Sequence, residues 1–173
     1  ICIIYFLSLG VSAHLLDAVG GKTKPWGDLP KRKLWLVSII VLAIALSIGM
    51  YYAFLDSPLL FAIGIAEGFF LFAYNLELFG GKFHNNASTI FSWAILPIFA
   101  GSIIQTNSIS LEVIILCGVS SLVTYVLITT SRKYKYLKRN SGNHSEIKRC
   151  EVILKLLTIG VLVGTAIFLI VRF

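Results

Sequence analysis

Charged residues are scarce in this chain, and acidic residues are the scarcest. Only 13% of the 173 residues are charged, with 8 Asp and Glu against 15 Lys and Arg. Together with 57% hydrophobic residues and a mean hydropathy of +0.88, this lies outside the usual composition of soluble globular domains. The composition excludes a soluble fold and predicts a membrane protein.

Cysteine is rarer still, and Cys2, Cys117 and Cys150 share no spacing typical of a metal site. We interpret them as small apolar side chains. No linker or low-complexity stretch divides the sequence, so we predict a single helical domain over residues 1–173. The start at Ile1 has no initiator Met, basic segment or cleavage site, so it does not resemble a signal peptide, and we expect an N-terminal part of the full protein to be missing.

Long apolar runs are what the chain has in abundance. Five of them contain roughly 19 to 22 residues, or about 30 Å of helix, which is the thickness of a hydrocarbon core. A sixth and shorter run opens the chain. The predicted fold is an all-α, polytopic transmembrane helical bundle with about six spans: Ile1 to Leu16, Leu34 to Leu55, Pro58 to Leu76, Ala87 to Gln105, Ser110 to Thr130, and Cys150 to Val171.

The connections between these runs alternate in charge. The turns 56–58 and 106–110 contain no Lys or Arg, whereas the other three connections are basic. The positive-inside rule predicts an integral protein of the cell membrane with the basic connections in the cytoplasm. Because the net charge of +7 lies beside membrane spans, attraction to anionic membrane lipids explains it, and we exclude nucleic acid as a partner.

The first basic connection begins with two polar side chains on one helix face. His14 and Asp17 stand three residues apart, so both project toward the same end of the first span. Gly20 and Gly21 loosen the backbone after them, and Lys22 and Lys24 bring two ammonium groups nearby. This pattern is compatible with a phosphate site. A solvated helix end followed by a basic loop explains it equally simply.

This region resembles the first signature of the UbiA superfamily of intramembrane prenyltransferases. That signature is an Asn-Asp-x-x-Asp-x-x-x-Asp pattern that runs into a loop with Lys-Pro or Arg-Pro and then Leu-Pro or Ile-Pro. Asp17 matches the middle acidic position, while His14 and Gly21 stand where other Asp residues would be. Lys24-Pro25 and Leu29-Pro30 match the two proline pairs.

A second stretch is similar to another segment of the same family. There a Tyr ends one span, a basic residue follows in a short loop, and a Gly-Trp or Ser-Trp pair opens the next span. Tyr74, Lys82 and Ser92-Trp93 fall at the matching places.

The resemblance implies a bundle with a cavity open to lipid, in which a prenyl diphosphate is held through Mg²⁺ and its isoprenoid is transferred to a lipid or aromatic acceptor. It implies that Asp17 is a catalytic residue and a Mg²⁺ ligand, and that His14 is a second catalytic residue. The predicted substrate-binding residues, which also include an acid inside a span, are Lys22, Lys24, Glu67, Tyr74, Asn75, Lys82, Arg132 and Lys133.

The sequence departs from the family where a second acidic cluster is expected. Residues 131–139 contain no Asp or Glu, and a basic loop cannot coordinate Mg²⁺, although Lys and Arg can hold a phosphate directly. Two alternatives to an active transferase therefore stay open. One is a non-catalytic protein of the same fold that binds or transports a prenyl lipid or quinone. The other is a structural subunit of a membrane complex.

Glu67 lies in the middle of an apolar run. A charged carboxylate at that depth costs about 2.5 kcal/mol or more, so we expect Glu67 to face a cavity or a partner, or to be protonated. It either contributes to function or ties helices together. Gly64 and Gly68 flank it with Gly-x-x-x-Gly spacing, which permits a close helix–helix approach.

Overall fold

A computed structural model describes residues 1–20, 29–55, 57–140 and 142–172, apart from the side chains of 168, 169, 171 and 172. Within these ranges the chain forms six long helices and no strand, which confirms the predicted all-α fold. The helices are α1 (Cys2–Gly20), α2 (Lys31–Leu55), α3 (Leu59–Asn75), α4 (Asn86–Thr106), α5 (Leu111–Arg139) and α6 (His144–Arg172).

Five of the helices in the described ranges are long and apolar enough to cross a membrane, namely all except α3. Helix α3 is apolar but contains 17 residues, which is about 25 Å at 1.5 Å per residue and the lower limit for a span. The number of spans predicted from the sequence was about six. The chain is therefore an integral membrane protein by the length and composition of its helices.

Two helices are not regular along their whole length. Helix α1 is π-helical over Phe6–Ser12, and α4 is π-helical over Phe91–Ile95. A short 3₁₀ helix, Leu78–Gly81, lies between α3 and α4. π-helical turns carry one extra residue, so they change which residues of a helix face its neighbours.

The prediction that residues 131–139 form a basic loop is wrong. Helix α5 continues through these residues to Arg139, and α6 begins at His144, six residues before the predicted start of the last span. Lys, Arg and Tyr are compatible with a helix, so the end of the apolar run marks the end of the hydrophobic segment and not the end of the helix. The connection itself is confined to residues 140–143.

The chain divides into two compact units, 1–121 and 122–173, here called unit 1 and unit 2. In unit 1, α1 to α4 run alternately up and down. The Ser12 side chain, near the middle of α1, meets the Ser38 side chain in the first third of α2, while Phe54 and Phe61 pack edge to face with ring centroids 4.9 Å apart. Helices α3 and α4 are joined by a buried cluster of Ile63, Leu96, Ala100 and Ile103.

Unit 1 therefore has two ends of different character. The basic end contains the last turn of α1, the start of α2, the last turn of α3 and the start of α4. The neutral end contains the start of α1, the turn between α2 and α3, and the end of α4. Ser57 is buried there and donates a hydrogen bond of 3.4 Å to the Ile103 carbonyl.

Candidate functional site

Unit 1 contains a cavity of about 450 Å³ between α1, α2, α3 and the second half of α4. It reaches from the neutral end to the middle of α3, over the ten residues Leu60 to Phe69, or about 14 Å along that helix. Its wall is apolar apart from one Tyr and one Glu. The lining residues that matter for its chemistry are Tyr5, Phe61, Gly64, Glu67, Gly68 and Phe69.

Glu67 and Tyr5 are the polar groups of this cavity. Glu67 is the ninth of the 17 residues of α3, and its carboxyl Oε1 accepts a hydrogen bond from the Tyr5 hydroxyl. Among the described residues Tyr5 is its one hydrogen-bonding partner, and no buried side-chain oxygen is left without a partner. The second carboxyl oxygen therefore stays accessible from the cavity. The prediction that Glu67 faces a cavity is confirmed.

The π-helical segment of α1 begins directly after Tyr5. At its far end Ser12 is fully buried, and its hydroxyl lies 2.8 Å from the Ser38 hydroxyl. Ser38 also donates to the Ser12 carbonyl at 3.0 Å, so the two helices are joined by reciprocal hydrogen bonds. In a regular α-helix, residues seven positions apart share one face. The wider π-helical turns rotate Ser12 relative to Tyr5, so that Tyr5 faces α3 and Ser12 faces α2.

The two glycines beside Glu67 line the cavity instead of a helix contact. A Cβ atom added at Gly64 or at Gly68 would meet nothing within 4 Å. The close helix approach that this Gly-x-x-x-Gly spacing permits is therefore not made at either glycine by the described residues. The missing side chains enlarge the cavity at the level of Glu67.

A packed layer separates the cavity from the basic end. It consists of Ala13, Leu16, Leu42 and Leu71, all buried, with three partly buried hydrophobic residues against them. The buried Ser12 and Ser38 hydroxyls lie beside this layer and hydrogen-bond each other, so they are satisfied within it. Tyr5 and Asp17 are twelve residues apart on α1, or about 18 Å along the helix axis.

At the basic end, the last turn of α1 packs tightly against the last turn of α3. A Cβ atom on Gly20 would lie 2.8 Å from the Leu76 Cα atom and closer still to the Asn75 carbonyl oxygen. Asp17, one turn earlier, is half-buried, whereas His14 is exposed. The structure therefore brings the helix end that carries Asp17 up to Asn75, and it directs the His14 side chain outward.

Asn75 itself is buried and is engaged within its own helix. Its side-chain amide donates a hydrogen bond of 2.7 Å to the Leu71 carbonyl. This bond satisfies the buried amide group within the last turn of α3, which is a structural role for the side chain. Binding of a substrate by Asn75 stays a prediction.

Tyr74 makes a stacked pair with His84. The two rings lie nearly parallel at 16°, with centroids 4.3 Å apart, and His84 Nδ1 is 3.2 Å from the Tyr74 carbonyl oxygen. The chain between them turns back through left-handed backbone at Glu77, Phe79 and two glycines. Lys82, in the same connection, is exposed.

Two further predicted ligands, Lys22 and Lys24, lie outside the described residues. Within the described ranges there is no group of three or more His, Cys, Asp or Glu side chains placed to hold a metal ion. Asp17 thus belongs to no such group in the described chain. Its role as a Mg²⁺ ligand stays a prediction.

Arg132 and Lys133 belong to unit 2, on the last turns of α5. Lys133 forms an ion pair of 3.2 Å with Glu146 of α6, and the neighbouring Tyr134 donates a hydrogen bond of 3.0 Å to Glu151. Arg132 lines a groove with Lys135 and Arg139 at its side. The structure thus gives Lys133 a contact between helices, and it places Arg132 in a cationic groove.

Tyr5 is the residue of the candidate site that the sequence did not reveal. It lies in the first apolar run, 62 positions before Glu67, and a tyrosine in such a run is unremarkable by itself. Only the pairing of α1 with α3 makes it a partner of the acid. The signal that the sequence did contain is a polar side chain within another apolar span, which could serve as a partner of Glu67.

Compared with known proteins, the chain matches no family model, no curated protein and no solved structure.

Proposed function

We propose that unit 1 is an intramembrane binding site for an isoprenoid lipid, and that the chain is a UbiA-like protein in which this binding function prevails over prenyl transfer. The observation that carries the proposal is the apolar cavity with the Tyr5–Glu67 pair at its inner end. Its volume of about 450 Å³ falls in the range of about 300–1,000 Å³ that small-molecule sites occupy. The ligand class comes from the resemblance around Asp17.

An apolar cavity inside a membrane does not select its ligand by hydrophobicity. Lipid tails are as apolar as the cavity wall, so transfer of a chain from the bilayer into the cavity gains little from the hydrophobic effect. Selection therefore depends on shape and on the polar pair. This favours a lipid with a flexible branched chain and a small polar group, such as a prenyl lipid or a quinone.

The proposal is tested by identifying the lipid that stays with the purified protein. The full chain is extracted in mild detergent, washed, and its bound lipids are measured by mass spectrometry. We expect an isoprenoid lipid in near-stoichiometric amount with the wild-type protein. We expect at least a tenfold loss with Gly64→Leu, since the new side chain enters the cavity.

Gly118→Leu is the matched control for this experiment. Gly118 is an exposed residue of α5 in unit 1, and an added Cβ there also meets nothing within 4 Å. It does not line the cavity, so we expect wild-type lipid content. Equal isoprenoid content in both variants, or only bulk phospholipid in the wild-type protein, would contradict the proposal.

Prenyl transfer is the second candidate, and the contact of Gly20 with the end of α3 favours it. That contact places the Asp17 turn beside Asn75, as a diphosphate site at the basic end requires. Mg²⁺ is commonly held by one or two carboxylates together with substrate phosphates, so a single Asp17 fits such an ion only with a diphosphate present. Lys22, Lys24 and Lys82 then act as counter-charges in this proposal.

The transferase activity has its own test. The full chain in liposomes is given farnesyl or geranylgeranyl diphosphate, Mg²⁺ and lipid acceptors, and released diphosphate is measured. Activity requires release by the wild-type protein and its loss in Asp17→Asn, while Glu112→Gln at the neutral end keeps it. Absence of release with a bound prenyl lipid leaves the binding function alone. In both proposals the basic end lies on the cytoplasmic side of the cell membrane, by the positive-inside rule.

A further inference from the structure

With the Glu67 carboxyl group ionised, the Tyr5–Glu67 pair offers acceptors to the cavity and no donor. A tyrosine hydroxyl has one proton, and in this structure the Tyr5 proton is given to Glu67 Oε1. What remains exposed to the cavity is the second carboxyl oxygen and the lone pairs of the tyrosine oxygen. A ligand can therefore bind the pair only by donating a hydrogen bond.

The rest of the cavity wall does not change this. Its other side chains are apolar, and no Lys, Arg or His side chain is among the residues that line it in the described part of unit 1. The backbone N–H groups of α2 and α3 that line it are engaged in helical hydrogen bonds, and so is that of Tyr5. At the level of Glu67 a ligand carbonyl or ether would therefore meet no donor, and a phosphate would meet a like charge in a medium of low dielectric constant.

We infer that Glu67 is ionised when the cavity is occupied, and that the cavity therefore selects isoprenoid lipids whose polar group donates a hydrogen bond, through a hydroxyl or a protonated amine, and rejects those whose polar group only accepts. This inference rests on the proposed function, because it concerns the ligand of the same cavity. It excludes an oxidised quinone and a prenyl diphosphate from this position, and it admits a prenol, a quinol or a prenyl amine.

The pair lies where a polar group is most costly. Glu67 is at the centre of α3, so a ligand's polar group bound there sits near the middle of the bilayer, with its chain directed toward the neutral end. Away from water, a donor that finds no acceptor loses most of its hydrogen bonding. The discrimination between donors and acceptors is therefore larger here than at a membrane surface.

Three ligands with one carbon chain test the inference: farnesol, farnesyl amine and farnesyl methyl ether. Their affinities are measured on the purified full chain in nanodiscs by displacement of tritiated farnesol. We expect farnesol and farnesyl amine to bind about ten- to a hundredfold more tightly than the ether, as for hydrogen bonds to a charged acceptor. A larger affinity for the amine than for the alcohol identifies a positively charged donor as the preferred one, and a larger affinity for the alcohol identifies the hydroxyl.

Glu67→Gln reverses the chemistry of the pair without changing its shape. The amide oxygen still accepts from Tyr5, while its NH₂ group now offers donors to the cavity. We expect the ether to gain affinity and the amine to lose at least tenfold, so that the order of the ligands changes. Glu112→Gln, outside the cavity, keeps the wild-type order.

The outcomes separate this inference from the proposed function. If all three ligands bind the wild-type protein with equal affinity, the inference is overturned while the proposed function stands. If none displaces the label and no specific farnesol binding exists, the proposed function itself fails. The comparison among ligands uses the wild-type chain, so it holds even if a variant does not fold.

Discussion

Gly20 is the position where one added methyl group tests how closely α1 approaches α3. A Cβ atom there would lie 2.8 Å from the Leu76 Cα atom and 3.3 Å from the Asn75 carbonyl carbon. Both are backbone atoms, so no rotation of a side chain relieves the overlap, and the helix ends have to separate. Inserting an extra carbon into a packed contact of this kind costs about 1–3 kcal/mol.

The matched variant is Gly64→Ala, because the new methyl group points into open space. Alanine stabilises a helix interior by about 0.5–1 kcal/mol relative to glycine, so this variant is expected to gain stability. The free energies of unfolding of Gly20→Ala and Gly64→Ala should therefore differ by about 1.5–4 kcal/mol.

A buried thiol gives the assay. Cys117 is 6% exposed and belongs to unit 1. In a Cys2→Ser, Cys150→Ser background, a thiol-reactive fluorescent dye reports the thermal unfolding of this unit through Cys117 alone. We expect Gly20→Ala to have a lower unfolding midpoint than the background protein, and Gly64→Ala an equal or higher one. If Gly20→Ala unfolds at or above the midpoint of Gly64→Ala, the tight contact between α1 and α3 does not exist.

Three further predictions concern hydrogen bonds and charges elsewhere. Ser12→Ala removes one half of the reciprocal pair with Ser38 and should lower the free energy of unfolding in SDS titration by about 0.5–1.5 kcal/mol; no loss would mean that the pair is not formed. The ion pair of Lys133 with Glu146 is exposed, with side chains 58% and 48% accessible, so a double-mutant cycle should give a coupling of about 1 kcal/mol or less. Tyr134→Phe should lower the free energy of unfolding by about 1 kcal/mol through the lost hydrogen bond, and the same loss is expected in a Glu146→Gln background. A loss that differs strongly between the two backgrounds would show that the hydrogen bond and the ion pair form one network.

The helices were predictable from the sequence because apolar runs of this length have few alternatives in a membrane. The ends of the helices were less predictable. Residues 131–139 are charged, which marks them as outside the hydrocarbon region, but nothing in their composition prevents a helix, and α5 continues through them. Hydropathy reports the environment of a segment, while helical hydrogen bonding continues until the chain turns.

The candidate site was predictable only in part, for a related reason. The cost of a carboxylate in an apolar run predicts that Glu67 faces a cavity or a partner, and it does both. Its partner Tyr5 depends on the packing of α1 against α3, which no local pattern encodes. The glycines at 64 and 68 show the same limit, because their spacing permits close approach and also permits a void.

Photo-crosslinking of a prenol inside the protein tests the central claim most directly. Farnesol with a diazirine at the far end of its chain is irradiated with the full chain in nanodiscs, and the labelled peptides are sequenced by mass spectrometry. We expect the label on the second half of α2 and the first half of α3, around Ala53 and Leu60. We expect this labelling to be lost in Gly64→Leu. Label confined to other segments, or unaffected by Gly64→Leu, would contradict the claim that the cavity holds an isoprenoid chain.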